Sequence, residues 1–285
     1  MPDFKKIGHD LRFRAWWIFR MLFRPCNLEI HLADHCNLNC AGCSHYSPLA
    51  EPTFCDVGQL RETLSKLSVY AKSFRTIRLL GGEPLLNPNV SDIAKMIREF
   101  FPHNEIELVT NGLLLMRSHT DYIDEAFWEC CQANNIVIGA TVYPTGVDYD
   151  ALKRMCMEKG VQFHIYGDRT VRSCFEVYAL NPDRKGCRLN YYRCHEMDFL
   201  QLVGGRIYSC PQCAYVGALN KALGYDFKHR KGDYIDVDDI KCRFSLRLFR
   251  LRAKPFCKYC VFPRRKIDWR TSKRAASEWV HKNIE

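Results

Sequence analysis

The chain has 285 residues, 47% of them hydrophobic and 26% charged, and 42 Lys and Arg against 32 Asp and Glu give a formal charge of +10. That length suits one sizeable α/β core with an appendage, and the composition excludes a disordered, collagenous or low-complexity protein. The basic excess, concentrated between Lys241 and Arg274, points to an anionic partner.

In chain order, Leu11–Arg24 reads as a basic amphipathic segment, either a cap on the core that snorkels its arginines or a peripheral membrane contact. No run of about 18 uncharged apolar residues follows, so a spanning helix is not expected. Asn27–Ala33 reads as a strand, and Leu60, Leu64, Leu67 and Ala71 mark one face of a helix. Thr76–Leu80 is a strand ending in Gly81-Gly82; Val90, Ile93, Ile97 and Phe101 mark the next helix. Ile106–Thr110 is a strand ending in Asn111-Gly112, and Ile123, Ala126, Phe127 and Cys130 a third helix. Strand Ile136–Tyr143, helix Tyr149–Lys159 and strand Val161–Tyr166 complete the run. Alternating strands and helices of these lengths predict βαβ units on a parallel sheet. About five units fit before residue 170, too few for an eight-unit barrel. Ligands of such folds gather beyond the C-terminal strand ends, which is where the unusual motifs of this chain fall.

After about residue 185 the pattern changes. Phe199–Val203, Gly204-Gly205 and Arg206–Ser209 read as a β-hairpin with a glycine turn, and Val237–Leu251 as a helix. The domain reading is 1–25 N-terminal segment, 26–185 core, and 186–285 a smaller α+β domain stapled by cysteines.

The 16 cysteines carry most of the functional signal. Ala15–Phe19, interrupted by Arg20 and followed by no small-residue cleavage site, is a poor secretory signal, so thiols in a reducing, cytoplasmic setting are expected rather than disulfides. Cys36-x3-Cys40-x2-Cys43 follows the first predicted strand. Three thiolates on one loop suit three irons of a [4Fe–4S] cube and leave the fourth iron open to a small ligand. A zinc site completed by His35 or His45 is the competing reading. The glycines of Gly81-Gly82-Glu83-Pro84 admit a ligand close to the backbone, and Glu83 can pair with an ammonium; a tight turn with a solvent-facing Glu is the plain alternative.

With the triplet and this second motif together, the chain resembles the radical SAM enzymes, loosely as far as about Tyr166. The resemblance implies a partial (β/α)6 TIM-like barrel, a [4Fe–4S] cluster on Cys36, Cys40 and Cys43, and S-adenosylmethionine chelated at the open iron, with Gly81, Gly82, Glu83 and Pro84 lining its amino group. Asn111 and Thr141 stand where strand-end polar contacts to that cofactor occur, and are otherwise ordinary turn and strand residues. The family's aromatic residue before the third cysteine is replaced by Gly42, so adenine contacts are expected elsewhere, at His45 or Tyr46.

Cys194-x10-Gly205-x4-Cys210, followed by Cys257-x2-Cys260, resembles the twitch domain, the shorter relative of the SPASM domain. The resemblance implies one auxiliary [4Fe–4S] cluster on Cys194, Cys210, Cys257 and Cys260. The rival pairing, Cys210-x2-Cys213 with Cys257-x2-Cys260, is a zinc ribbon. In the cluster reading Cys213 is spare, as are Cys174 and Cys187; Cys213 is then a candidate hydrogen-atom donor or a small buried hydrophobe. Cys130, Cys131 and Cys156 read as core. Arg243, Arg247, Arg250, Arg252, Arg264, Arg265 and Lys266 suit a substrate phosphate or a solvated face.

The expected activity is radical SAM oxidoreduction, either dehydrogenation or epimerisation. The short twitch-bearing chain resembles the dehydrogenases of aminocyclitol pathways, which implies a carbohydrate-like small molecule (a sugar, aminocyclitol or sugar-nucleotide) and a reductant such as flavodoxin or ferredoxin. A peptide-modifying maturase and a glycyl-radical-enzyme activase are competing readings of the same motifs. From another class comes a zinc-stapled nucleic-acid-binding protein; in the favoured reading no nucleic acid is bound.

Overall fold

The computed structural model describes residues 25–71, 74–116, 123–167, 174–183, 191–192, 194–262 and 264–281. The amphipathic segment Leu11–Arg24 and Cys187 lie outside these residues. In chain order the main elements are β1 (Asn27–His31), α1 (Val57–Tyr70), β2 (Thr76–Leu80), α2 (Val90–Phe100), β3 (Glu105–Thr110), α3 (Glu125–Ala133), β4 (Ile136–Thr141), α4 (Tyr149–Glu158) and β5 (Phe163–Tyr166). There follow β6 (Cys174–Val177), β7 (Phe199–Val203), β8 (Arg206–Tyr208), α5 (Pro211–Ala214), α6 (Val216–Leu223), β9 (Tyr234–Asp236), α7 (Ser245–Leu251) and β10 (Arg265–Asp268).

Eight strands form one sheet in the order β5-β4-β3-β2-β1-β7-β8-β9. The first five are mutually parallel, and β7 adds a sixth parallel strand on the free side of β1. The β7–β8 hairpin therefore extends the main sheet, turning through Gly204 and Gly205 at φ 54° and 76°, which side chains rarely adopt. β6 and β10 pair separately as a two-stranded antiparallel ribbon.

Strand alternation gives the sheet two unlike faces. Leu28, Ile30, Ile77, Leu79, Ile106, Leu108, Ile136 and Ile138 point to one face and pack against Leu60, Leu64, Ile93, Ile97 and Leu152 of the crossover helices, all within one core. Cys131 and Cys156 are buried in the same core, and Cys130 is buried on α3, as the sequence pattern predicts. Aspartates start three of the helices: Asp56 accepts from Gln59 N, Asp124 from Phe127 N, and Asp148 from Asp150 N and Ala151 N. Each such cap contributes about 1 kcal/mol.

The opposite face is polar. Glu29, Arg78, Glu107 and Gln201 meet there across β1, β2, β3 and β7, joined by His164 and Tyr166 of β5. Arg78 lies 3.0 Å from Glu107 and 3.7 Å from Glu29 and donates to Tyr166 Oη at 3.0 Å. Gln201 donates to Glu29, and burial pushes the Glu29 carboxyl up to about 7.

The expected helix Val237–Leu251 is corrected. The segment is a 3-10 turn at Val237–Asp239 and, after an irregular step, the short helix α7. Val237 and Ile240 are buried while Lys241, Cys242, Arg243 and Phe244 are exposed. That alternation anchors two separate turns to the core instead of one continuous stripe. The basic residues nearby do not share one face either. Arg250 is buried against Asp198 at 3.2 Å, Arg264 pairs with Glu176 at 3.0 Å, and Arg243 and Arg247 stack on Phe244.

Candidate active site

The loop after β1 carries Cys36, Cys40 and Cys43 as free thiols. Its position is set by β2. The strand pairing continues past the ends of β1 and β2: Gly82 N donates to Ala33 O at 2.7 Å and Glu83 N to His35 O at 3.0 Å. Side chains at Gly81 or Gly82 would collide with the backbone of Ala33, His35 and Cys36, so the glycines allow this approach.

The three thiols act on one another. Burial pushes Cys36 up to about 12, the amide of Leu38 opposes it, and the charges of Glu83, Cys43 and Cys40 add to the rise. Burial pushes Cys40 up to about 11, opposed by the indole N–H of Trp269 and reinforced by Cys43. Cys36 and Cys40, which resist ionisation in the bare chain, are matched to a cationic iron cluster, which would supply the missing positive charge.

Glu83 is fully buried below them. Its carboxylate accepts from Thr110 Oγ1 at 2.7 Å and Leu85 N at 3.3 Å on one oxygen, and from Asn111 N at 2.9 Å on the other. Burial still dominates and raises it to about 7. Asn111 donates from its amide to Asn37 Oδ1 at 2.7 Å, with Cys36 Sγ 3.8 Å away. Pro84 starts a buried 3-10 turn, and Thr141 ends β4, its carbonyl accepting from Tyr149 Oη at 3.2 Å.

Gly42 has φ +70°, and a side chain there would meet Val177 Cγ2 at 2.7 Å. Val177 of β6 occupies the space an aromatic residue would need. His45 and Tyr46, the expected adenine contacts, pack inward. The His45 ring lies against Tyr215 and His31, and burial draws it down to about 3. Tyr46 is wholly buried beside Trp279. The ring of His35, the other candidate zinc ligand, lies tilted against Phe54 with centroids 5.3 Å apart.

Two aromatic residues that the sequence did not single out stand by the thiols instead. Tyr143 follows β4; burial, then the charges of Cys40, Cys43, Cys36 and Glu83, raise its phenol well above the ordinary range. Its ring is 6.3 Å from that of Trp269, whose N–H donates to Cys40 Sγ at 3.2 Å. Trp269 belongs to a strap from Asp268 to Val280 laid along the thiol loop. Ala41 N donates to Arg270 O at 2.9 Å, Ser272 N to Asn39 O at 2.7 Å, and Trp279 Nε1 to Cys43 O at 2.9 Å. Glu278 fastens the strap by accepting from Arg270, Ser272 and Lys273 N.

Cys194, Cys210, Cys257 and Cys260 line one cavity together with Gln212 and Tyr191. Burial pushes Cys257 up to about 12, with Cys194 the next cause, and raises Cys210 well above its ordinary value. The buried Nε2 of Gln212 has no hydrogen-bond partner, and neither has the buried Tyr46 hydroxyl, on which the charges of Cys260, Cys210, Cys213 and Cys43 all act. Arg264 donates to Cys194 Sγ at 3.3 Å. Orphaned donors beside four thiols fit a sulfur-rich group, whose sulfides accept hydrogen bonds. Among the described residues, no three His, Cys, Asp or Glu side chains converge on a point suited to a single metal ion. Cys213 is not among the residues that line this cavity, although its charge acts on Cys210 and those of Cys257 and Cys260 act on it. It is 1% exposed on α5 in a second hydrophobic cluster with Tyr215, Phe227 and Phe256, and its carbonyl lies 2.7 Å from His229 Nε2.

Residues 30–160 match the Radical SAM superfamily. Molybdenum cofactor biosynthesis protein 1 of Bos taurus is 34% identical over 91 residues, 32% of this chain and 14% of that protein. The GTP 3′,8-cyclase of Aquifex aeolicus is 37% identical over 100 residues, 33% of this chain and 30% of that enzyme. The matches thus span less than a third of these relatives' length. Among solved structures, BtrN in complex with AdoMet and 2-DOIA aligns with a TM-score of 0.49 at 15% identity, covering 83% of this chain and 92% of that one. Histidine-tagged anSMEcpe with bound AdoMet gives 0.38 at 21% identity, covering 50% and 43%.

Proposed function

Through residues 30–160 the chain belongs to the radical SAM superfamily, with a [4Fe–4S] cluster and S-adenosylmethionine as its cofactors, and from that premise we propose that it is a cytoplasmic oxidoreductase acting on a hydroxyl-rich small molecule. The observation that carries the reading is the convergence of three half-buried, mutually interacting thiols with the buried Glu83 carboxylate, which strand ends β1, β2 and β3 bring to one place.

A [4Fe–4S] cluster held by Cys36, Cys40 and Cys43 would supply the electron for reductive cleavage of S-adenosylmethionine. The chain's own residues do the rest of the work. Gly81 and Gly82 let β2 lie against the backbone of Ala33, His35 and Cys36, which seats the thiol loop beside Glu83. Glu83 faces its ammonium, held in place by Thr110 and the amide of Asn111. Asn111 offers its side-chain amide beside Cys36, and Thr141 and Tyr143 close the side at β4. The strap from Asp268 to Val280 lies along the thiol loop and bonds to Asn39, Ala41 and Cys43.

The polar sheet face supports a carbohydrate-like substrate, a sugar, aminocyclitol or sugar-nucleotide. Glu29, Arg78, Glu107, Tyr166 and Gln201 bond one another there, with His164 beside Glu107, so this wall of the sheet is polar rather than aliphatic. Dehydrogenation requires that one hydrogen atom pass to the adenosyl carbon and that one further electron and one proton leave the substrate. The cavity of Cys194, Cys210, Cys257 and Cys260 is the place for a second [4Fe–4S] cluster able to take that electron, and the spare Cys213 lies outside it. Buried Tyr46 stands within electrostatic reach of both thiol sets. A low-potential protein such as flavodoxin or ferredoxin is the expected reductant. No helix among the described residues is long and apolar enough to cross a membrane.

The test is iron, sulfide and zinc per chain after anaerobic reconstitution, followed by 5′-deoxyadenosine formation with S-adenosylmethionine, a reductant and a panel of aminocyclitols and sugar-nucleotides. About eight irons, falling to about four when the triplet is changed to alanine, are expected. Substrate-dependent 5′-deoxyadenosine with a product two hydrogens lighter marks dehydrogenation; solvent deuterium in a product of unchanged composition marks epimerisation. A chain that binds zinc alone overturns the proposal.

A further inference from the structure

The hydrogen bond from Trp269 to Cys40 joins residues 229 positions apart. It is held from both sides. The strap residues Arg270 and Ser272 pair with Ala41 and Asn39 of the thiol loop, and the Trp269 ring packs toward Tyr143. Glu278, 1% exposed, locks Arg270, Ser272 and Lys273 into the turn that follows. The indole has a single N–H and no acceptor, so its orientation is committed to the sulfur.

We propose that Trp269 is a positioning residue that raises the reduction potential of the cluster held by Cys36, Cys40 and Cys43, through its N–H to the Cys40 sulfur. The inference rests on the function proposed above. Reduction adds one electron to the cluster and its thiolates, and a donor aimed at a ligand sulfur stabilises the more negative, reduced form. No ligand is exchanged and no bond breaks. Withdrawal of solvent by the strap acts the other way, because burial disfavours the more negative reduced form, so the N–H to the Cys40 sulfur is the part of this contact that raises the potential. The element that makes the contact comes from the far end of the chain, beyond the match at residues 30–160.

The experiment is an EPR-monitored redox titration of the anaerobically reconstituted full chain, wild type beside Trp269→Phe and Trp269→His, with iron and sulfide counted for each. The triplet signal is identified by its change on adding S-adenosylmethionine, which reaches only the open iron. W269F keeps an aromatic ring and loses the donor; W269H restores an N–H. The expected result is a more negative midpoint for the triplet signal in W269F, recovery toward wild type in W269H, and an unmoved second signal. A W269F chain that loses the triplet's iron shows that Trp269 holds the cluster rather than tunes it, and overturns the proposal. Full iron with an unchanged midpoint in W269F, or equal shifts in both variants, overturns this inference and leaves the radical SAM reading intact. A wild-type chain without iron at the triplet overturns both.

Discussion

Gly82 and His35 touch through their backbones: a side chain on Gly82 would run into the His35 carbonyl and stand 2.8 Å from the Cys36 amide nitrogen. The thiol loop is therefore seated on β2 by the absence of a side chain. Gly82→Ala forces the loop to shift, at a cost of about 1–3 kcal/mol by comparison with other overpacked sites. Denaturant unfolding should show that loss, and reconstituted iron should fall by about four atoms per chain while the second site keeps its own.

Glu83 sets a pH dependence. Burial raises it from 4.5 to about 7, so the folded chain binds its proton more tightly than the unfolded one. Its contribution to stability is complete below about 4.5 and is lost as pH rises through about 7; Glu29, raised for the same reason, acts in the same direction. Glu83→Gln should flatten the stability profile across that window. An ammonium placed beside Glu83 reverses the shift, so S-adenosylmethionine binding at pH 6 should release protons. Calorimetry in buffers of different ionisation enthalpy measures this, and equal heats in the wild type would contradict it.

The second thiol set yields a sharper contrast. Cys194→Ala, Cys210→Ala, Cys257→Ala and Cys260→Ala should each remove about four irons, whereas Cys213→Ala should leave the iron count unchanged. A zinc ribbon predicts the reverse for Cys213 and spares Cys194, so elemental analysis of these two variants separates the arrangements.

Glu278 governs the strap. Burial alone would raise its carboxyl, but hydrogen bonds from Ser272, Lys273 N and Arg270 outweigh it and hold the group below the ordinary carboxylate range. The stability it contributes is present above that range and lost as pH falls through the depressed value. Glu278→Ala should cost about 1–3 kcal/mol and open the strap to proteolysis at neutral pH. If the strap stays resistant in this variant, Glu278 is not its fastening.

The order of strands and helices from Asn27 to Tyr166 was legible because each segment carries its own periodicity, and the motifs at the strand ends mark where the site forms. The hairpin was legible too, through its Gly-Gly turn. Its pairing with β1 was not, because nothing local in Phe199–Val203 names a partner strand. Thr110 was noticed with Asn111 and Gly112 at a strand end, but its bond to Glu83 was not legible, and Trp269 was missed because it lies in irregular chain whose contacts are all long-range. The break at Ile240 was hidden because Val237, Ile240 and Leu251 happen to keep helical spacing. Gly42 was noticed as a departure, but its reason, the Val177 side chain from β6, exists only in three dimensions.

The strap also dictates an order of events in biogenesis. The thiol loop leaves the ribosome more than 200 residues before Trp269 and Trp279, which join it across separations of 229 and 236 positions. Synthesis at about 5–20 residues per second leaves that loop uncovered for at least about ten seconds. A cluster assembled on the loop in that interval would meet the C-terminal segment only afterwards.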